Sequence, residues 1–203
     1  MRSIITTKKG DEGNSILPDG RVVPKSSEFI ECLGALESLR AHIALLNIKI
    51  ENSQHTDRQI ISDFLFWLIH CLFITGSQLA DPFRKVTPPD HPVLSEEHLK
   101  ILEKFQIHLE NKLNLPRKFI VSGSNEISAF ADIVVTFARN FERKLVTYLK
   151  TPDAAPVKNS ALIPFYNRLG DFLFILARIL DKDKFITVDY SIISKPPIPN
   201  EDE

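Results

Sequence analysis

Glu28-Phe29-Ile30-Glu31-Cys32-Leu33-Gly34-Ala35-Leu36-Glu37-Ser38-Leu39-Arg40 begins the stretch that decides the fold. Phe29, Ile30, Leu33, Leu36, Leu39, Ile43 and Leu46 recur at intervals of three and four. That spacing gathers apolar side chains on one side of a helix, and it predicts a helix from Glu28 to about Ile50. Working outward, Thr56 or Asp57 is placed to cap a second helix, from about Arg58 to Leu79. Asp81-Pro82, Pro88-Pro89 and His91-Pro92 then mark a loop, because proline blocks helix. Ser95, followed by Glu96 and Glu97, opens a third helix carrying Leu99, Leu102, Phe105, Ile107, Leu109 and Leu113, which Pro116 ends. A fourth helix is expected from Glu126 to Lys150, with Ile127, Phe130, Val134, Phe137, Phe141 and Leu145 on its apolar side. A fifth runs from about Ile163 to Leu180.

Five long amphipathic segments joined by short turns predict an all-α protein, a five-helix bundle over residues 28–183. Residues 1–27 are expected to form an ordered loop or short hairpin packed with it, and residues 184–203 a frayed or partner-bound tail.

Composition narrows the function. The chain has 203 residues, enough for one domain with a real core. A formal net charge of −1 removes any global pull toward nucleic acid or a membrane surface, so a polyanion must be bound locally. Cys32 and Cys71 lie in apolar helical sequence and read as buried small hydrophobes in a reducing compartment. No Cys or His spacing suggests zinc, and His55, His91, His98 and His108 read as surface residues. Met1-Arg2-Ser3-Ile4-Ile5 passes at once into charged residues, unlike a secretory leader, so a cytoplasmic location is expected. The apolar run Phe64 to Ile74 is expected to fall short of a bilayer span and to be buried on most sides.

Three polar groupings stand out. Thr7-Lys8-Lys9-Gly10-Asp11-Glu12-Gly13-Asn14-Ser15, with Lys25 ten residues on, combines glycine-freed N–H groups, hydroxyls and lysines. That is the chemistry of a loop that wraps polyphosphate, although no Walker motif is present; a solvated turn is the plainer alternative. Arg139 and Arg143 stand four apart on one helix side, with Glu142 between them. They suit either a solvated ion-paired surface or a guanidinium pair aimed at phosphate. Asn167 and Asp171 repeat the spacing early in the fifth helix, where capping is the alternative.

Taken in order, these pieces resemble the PduO-type ATP:cob(I)alamin adenosyltransferases. The family's Thr-x-x-Gly-Asp-x-Gly-x-Thr is similar to residues 7–15, and its Pro-Lys pair to Pro24-Lys25. Glu31 to Arg40 echo Glu-Ala-x-Gly-x-x-Asp-Glu-Leu-Asn, and Leu72 to Ala80 echo Leu-Phe-x-x-Gly-x-x-Leu-Ala. Phe119 to Ser124 resemble Phe-Ile-Leu-Pro-Gly-Gly. Arg139-Asn140-Phe141-Glu142-Arg143 resembles Arg-Arg-Ala-Glu-Arg, and Asn167 to Phe174 resemble Asn-Arg-Leu-Ser-Asp-x-Leu-Phe.

The resemblance implies a homotrimer with ATP bound between neighbouring subunits. It implies transfer of the 5′-deoxyadenosyl group of ATP to the cobalt of reduced cobalamin, with triphosphate released. It places Thr7, Lys8, Lys9, Gly10, Ser15, Lys25, Arg139, Asn140, Glu142, Arg143 and Asn167 around ATP, with Arg139 catalytic. Mg²⁺ would bridge phosphate oxygens without a protein metal site. Phe119 would crowd the lower face of the corrin and favour four-coordinate cobalt. A cobalamin-dependent enzyme is a possible acceptor of the product.

The chain departs from the pattern at several positions. The family arginine that pairs across the subunit boundary is Val135, and its acidic partner is Glu37. The Glu and Asn beside that acid are Ser38 and Arg40; the second motif arginine is Asn140; the loop proline and second glycine are Ser122 and Ser124. An intrahelical Arg40–Glu37 pair is the expected compensation. The departures leave two alternatives open, a relative that binds ATP or cobalamin without turnover, and a helical scaffold.

Overall fold

The computed structural model describes residues 6, 8–155, 157, 159–182 and 184–194. A hairpin of β1 (Asn14–Ile16) and β2 (Val22–Pro24) precedes α1 (Glu28–Glu51), α2 (Arg58–Ala80), α3 (Glu96–Glu110), α4 (Glu126–Leu149) and α5 (Leu162–Leu180). The bundle expected from the spacing is therefore present, with helix ends within a few residues of those read from the caps. Thr7 lies outside the described residues.

Packing runs α2–α1–α4–α5–α3, each helix against the next. Phe64 of α2 stacks on Phe105 of α3 with centroids 3.9 Å apart and closes the ring. Leu39, Ile43, Leu65, Leu68, Phe141, Leu145, Phe165 and Leu169 are wholly buried at its centre. Burial of that apolar surface, at roughly 25 cal/mol per Å², is what holds the helices together. Tyr166 keeps its hydroxyl in the core by donating to Thr75 Oγ1 at 2.8 Å, and Thr75 donates on to Cys71 O at 2.9 Å. Burial pushes the thiols of Cys32 and Cys71 up to about 12, leaving them inert as expected.

Three expectations change. Asp57 occupies the N-cap position of α2, but its carboxylate takes Lys112 at 2.7 Å rather than a helix N–H. His98 is not a free surface residue: its Nδ1 accepts from Ser95 N at 3.2 Å, and its ring stacks on Trp67. The third change is in α2, which is long and apolar enough to cross a bilayer by length and composition alone. Over residues 64–74 it is buried or half-buried except at Phe66, His70 and Phe73. Ile61, Leu65, Leu68 and Leu72 face the bundle, whereas Phe66 and Phe73 are 59% and 53% exposed.

The loop after α2 is built around Asp81, which is 3% exposed. Its carboxylate accepts from the N–H groups of Lys85, Val86 and Thr87 and from the Thr87 hydroxyl, at 2.8–2.9 Å. Burial pushes this carboxyl up, but those donors outweigh it and hold it well below the usual carboxylate range. Arg84, at a φ of 53°, ties the same loop by donating to the carbonyls of Pro88, Pro89 and His91.

Candidate active site

Residues 8–25 form an ordered hairpin. The backbone passes through the left-handed region at Lys8 (φ 59°) and Gly13 (φ 82°), which lets it fold back within a few residues. Lys25 closes it: its N–H donates to Gly13 O at 2.8 Å, and its Nζ to Gly10 O at 2.7 Å. Lys8 and Lys9 are exposed, Gly10 and Ser15 half-buried. Arg21 fastens the hairpin to the bundle, pairing with Asp19 at 2.6 Å and donating to Ala80 O at the end of α2.

A second grouping lies where α4 and α5 meet. Arg139, Glu142, Arg143 and Asn167 line one open hollow of about 590 Å³. Val146, Thr147, Gly170 and Asp171 complete it. Helical periodicity explains the gathering: residues 139, 142, 143 and 146 share one side of α4, and 167, 170 and 171 one side of α5. Asn167 Nδ2 donates to Glu142 Oε1 at 3.1 Å and joins the two helices at the rim. Gly170 packs against the Arg139 stem, whose Cγ would stand at an ordinary contact distance of 3.7 Å from an added Cβ. Thr147 and Gly170 escaped the sequence reading, although each lies one turn from a residue it singled out.

Some site residues fall elsewhere. Asn140 does not line the hollow; it stands beside it and accepts from Arg143 at 3.4 Å. Arg168 turns toward α3, pairing with Glu103 at 3.3 Å and with Asp171 at 3.0 Å. No residue of the 8–25 hairpin lines the hollow among the described residues. Within one chain, the hairpin and the arginine pair are therefore apart.

The expected Arg40–Glu37 pair is absent among the described residues. Arg40 lies over the Phe73 ring instead, 4.0 Å from its centroid, a cation–π contact that occupies the guanidinium. Glu37 is exposed on α1, and Val135 is buried in the bundle at 5% exposure.

Phe119 is presented on the connector between α3 and α4, with its ring 77% exposed. Residues 186–188, after α5, pair with this connector. Ile120 bridges Thr187 in antiparallel fashion, with Val121 N–H on Ile186 O at 2.7 Å and Val188 N–H on Phe119 O at 2.9 Å. Gly123 makes the bend before α4 at a φ of 72°, where an added Cβ would stand 2.4 Å from Ala129 Cβ. Only glycine fits there. Beneath the bend lies a charge cluster that the sequence reading missed. Arg178, 1% exposed, bonds Asp132 at 2.6 Å. Its Nε lies 2.9 Å from Asp181 Oδ2, aligned too poorly for a hydrogen bond, so that contact is coulombic. Removing one member of such a buried group costs about 3–5 kcal/mol.

A helical bundle of this fold is found among the ATP:corrinoid adenosyltransferases. A variant of the PduO-type ATP:corrinoid adenosyltransferase from Lactobacillus reuteri, complexed with cobalamin and ATP, has the same fold. Its TM-score is 0.76 at 21% identity, over 92% of this chain and 96% of that one. The chain belongs to the cobalamin adenosyltransferase family, whose model matches residues 5–180. It is 31% identical over 180 residues to a cobalamin adenosyltransferase from Cupriavidus metallidurans, covering 89% of each chain. It is also 31% identical over 182 residues to the corrinoid adenosyltransferase PduO of Citrobacter freundii, and spans 50% of that protein's length.

Proposed function

We propose that the chain transfers the 5′-deoxyadenosyl group of ATP to the cobalt of a reduced corrinoid and releases triphosphate. The chain is an adenosyltransferase, and the observation that carries its site is the hollow shared by Arg139, Glu142, Arg143 and Asn167. In this reading the hairpin, through Thr7, Lys8, Lys9, Gly10, Ser15 and Lys25, holds the triphosphate of ATP. The two arginines meet it from a neighbouring subunit. Their separation within one chain favours a composite site.

The chemistry needs no general base. Reduced cobalt brings its own electron pair to C5′ of ATP, the Co–C bond forms, and the C5′–O bond breaks with its pair leaving on triphosphate. What the protein supplies is alignment and stabilisation of the departing charge. Arg139 and Arg143 are suited to that, since a guanidinium stays charged and offers paired donors. Glu142 keeps Asn167 aimed along the same rim. Mg²⁺ would sit on phosphate oxygens, which fits a hollow whose carboxylates, Glu142 and Asp171, already have partners. Phe119 is the residue held out for the lower corrin face.

A homotrimer is the assembly this reading requires. Its support is the apolar surface left by α1 and α2, where Leu45, Ile48, Phe66 and Phe73 are exposed. A cytoplasmic location, without nucleic-acid or membrane partners, accompanies it, as does direct delivery to a cobalamin-dependent acceptor. Binding without turnover is the second reading. The diversion of Arg40 onto Phe73 and the valine at position 135 favour it, because the family resemblance assigns both positions to the subunit boundary.

The test is formation of adenosylcobalamin from ATP and chemically reduced cobalamin, followed by absorbance, with the oligomer measured by light scattering. Turnover by a trimer is expected. Intact ATP binding with no turnover would move the assignment to the second reading.

A further inference from the structure

We infer that Ser124 is a positioning residue for the corrinoid side of the site, acting with buried Asp181 as a clamp on the loop that presents Phe119. The inference rests on the role given to Phe119 above.

A ring that is 77% exposed is not fixed by packing, so its position is only as good as its backbone. Two backbone hydrogen bonds tie that backbone to residues 186–188, but both partners lie in irregular chain near the surface. The firmer tie is at Ser124. Its N–H donates to Asp181 Oδ1 at 3.0 Å and its hydroxyl to the same oxygen at 2.7 Å. Asn125 adds a bond from Nδ2 to Leu180 O at 2.7 Å.

What makes Asp181 a good anchor is its setting. It is 1% exposed, sits at the end of α5, and its other oxygen faces Arg178, which is held by Asp132 of α4. The loop thus hangs from a charge group shared by the two helices that also form the arginine hollow. Hydrogen bonds to an ionised carboxylate are about twice as strong as neutral ones.

The arrangement also accounts for two departures in this chain. At position 122 the family proline, which restrains the loop through its ring, is replaced by serine. At position 124 a glycine, which has no side-chain donor, is replaced by serine. In this chain the loop's restraint is a hydroxyl on a buried carboxylate. Gly123 between them supplies the bend that both versions need.

The experiment compares wild type with Ser124→Ala, Ser124→Thr, and Ser122→Pro added to Ser124→Ala, each first shown to melt cooperatively. One lost hydrogen bond to a charged acceptor corresponds to roughly tenfold. Ser124→Ala should therefore raise KM for the corrinoid about tenfold and leave KM for ATP unmoved. Trypsin should cut the unliganded variant faster after the exposed Arg117 and Lys118. Ser124→Thr, which keeps the hydroxyl, and the added proline should restore both readouts. In a Phe119→Ala background the Ser124→Ala effect on KM should disappear. An unmoved corrinoid KM, a parallel rise in the ATP KM, or an equal effect without Phe119 overturns the inference. If wild type itself makes no adenosylcobalamin, the proposed function falls and the corrinoid role of Ser124 with it. The tryptic rates then still decide whether the clamp exists.

Discussion

Asn167 donates to Glu142 across 3.1 Å, and that single bond joins α5 to α4 at the mouth of the hollow that Arg139 and Arg143 share. Glu142 stands between two guanidinium groups on its own helix, so its charge moderates their mutual repulsion before any phosphate arrives. The bond also holds the Asn167 side chain along the rim.

If Arg139 stabilises the departing triphosphate, Arg139→Ala should lower kcat by about 10²-fold or more. Arg139→Lys keeps the charge but loses the forked donors, so it should recover only part of the rate. Steady-state kinetics with saturating ATP would measure both. An unchanged kcat in the alanine variant would remove Arg139 from the chemistry.

Gly170 is buried in the middle of α5, yet an added Cβ meets only the Arg139 stem at an ordinary 3.7 Å. Glycine in a helix interior costs about 0.5–1 kcal/mol relative to alanine. Gly170→Ala should therefore stabilise the protein by up to that amount, read as a higher midpoint in urea. A lower midpoint would mean that Arg139 cannot accommodate the methyl group.

The Asp81 carboxyl titrates lower in the folded protein than its ordinary value of 3.8. Its contribution is therefore complete above about pH 4 and is lost as the pH falls through the folded value. Asp81→Asn should cost about 2 kcal/mol at neutral pH, because buried N–H donors lose an ionised acceptor. Its stability should also fall less steeply than that of wild type between pH 4 and pH 2. Parallel acid limbs in the two proteins would exclude Asp81 as a source of acid lability.

The bundle was legible because apolar spacing and caps are local signals. Glu28, Arg58 and Glu126 open their helices where the pattern placed them. The α4/α5 hollow was half legible. Five of its residues, Arg139, Glu142, Arg143, Asn167 and Asp171, were visible as polar interruptions, but Gly170 and Thr147 enter it through packing, which no spacing reports. Arg40 was misassigned because a same-helix partner was in view, while Phe73, on another helix, was not. The Asp132 partner of Arg178 was invisible for the same reason, standing 46 residues away in sequence.

The closed ring of helices also fixes the order in which the molecule comes apart. α3 is the shortest stave, with only Leu102 and Leu109 buried, and it rests mainly on α5. Its other edge meets α2 through the Phe64–Phe105 stack. Opening that seam exposes little apolar surface, whereas parting α4 from α5 breaks the core. The molecule thus has a weak stave, and its backbone amides will trade hydrogen for deuterium there first. The two helices that carry the arginines and Asn167 stay closed until global unfolding.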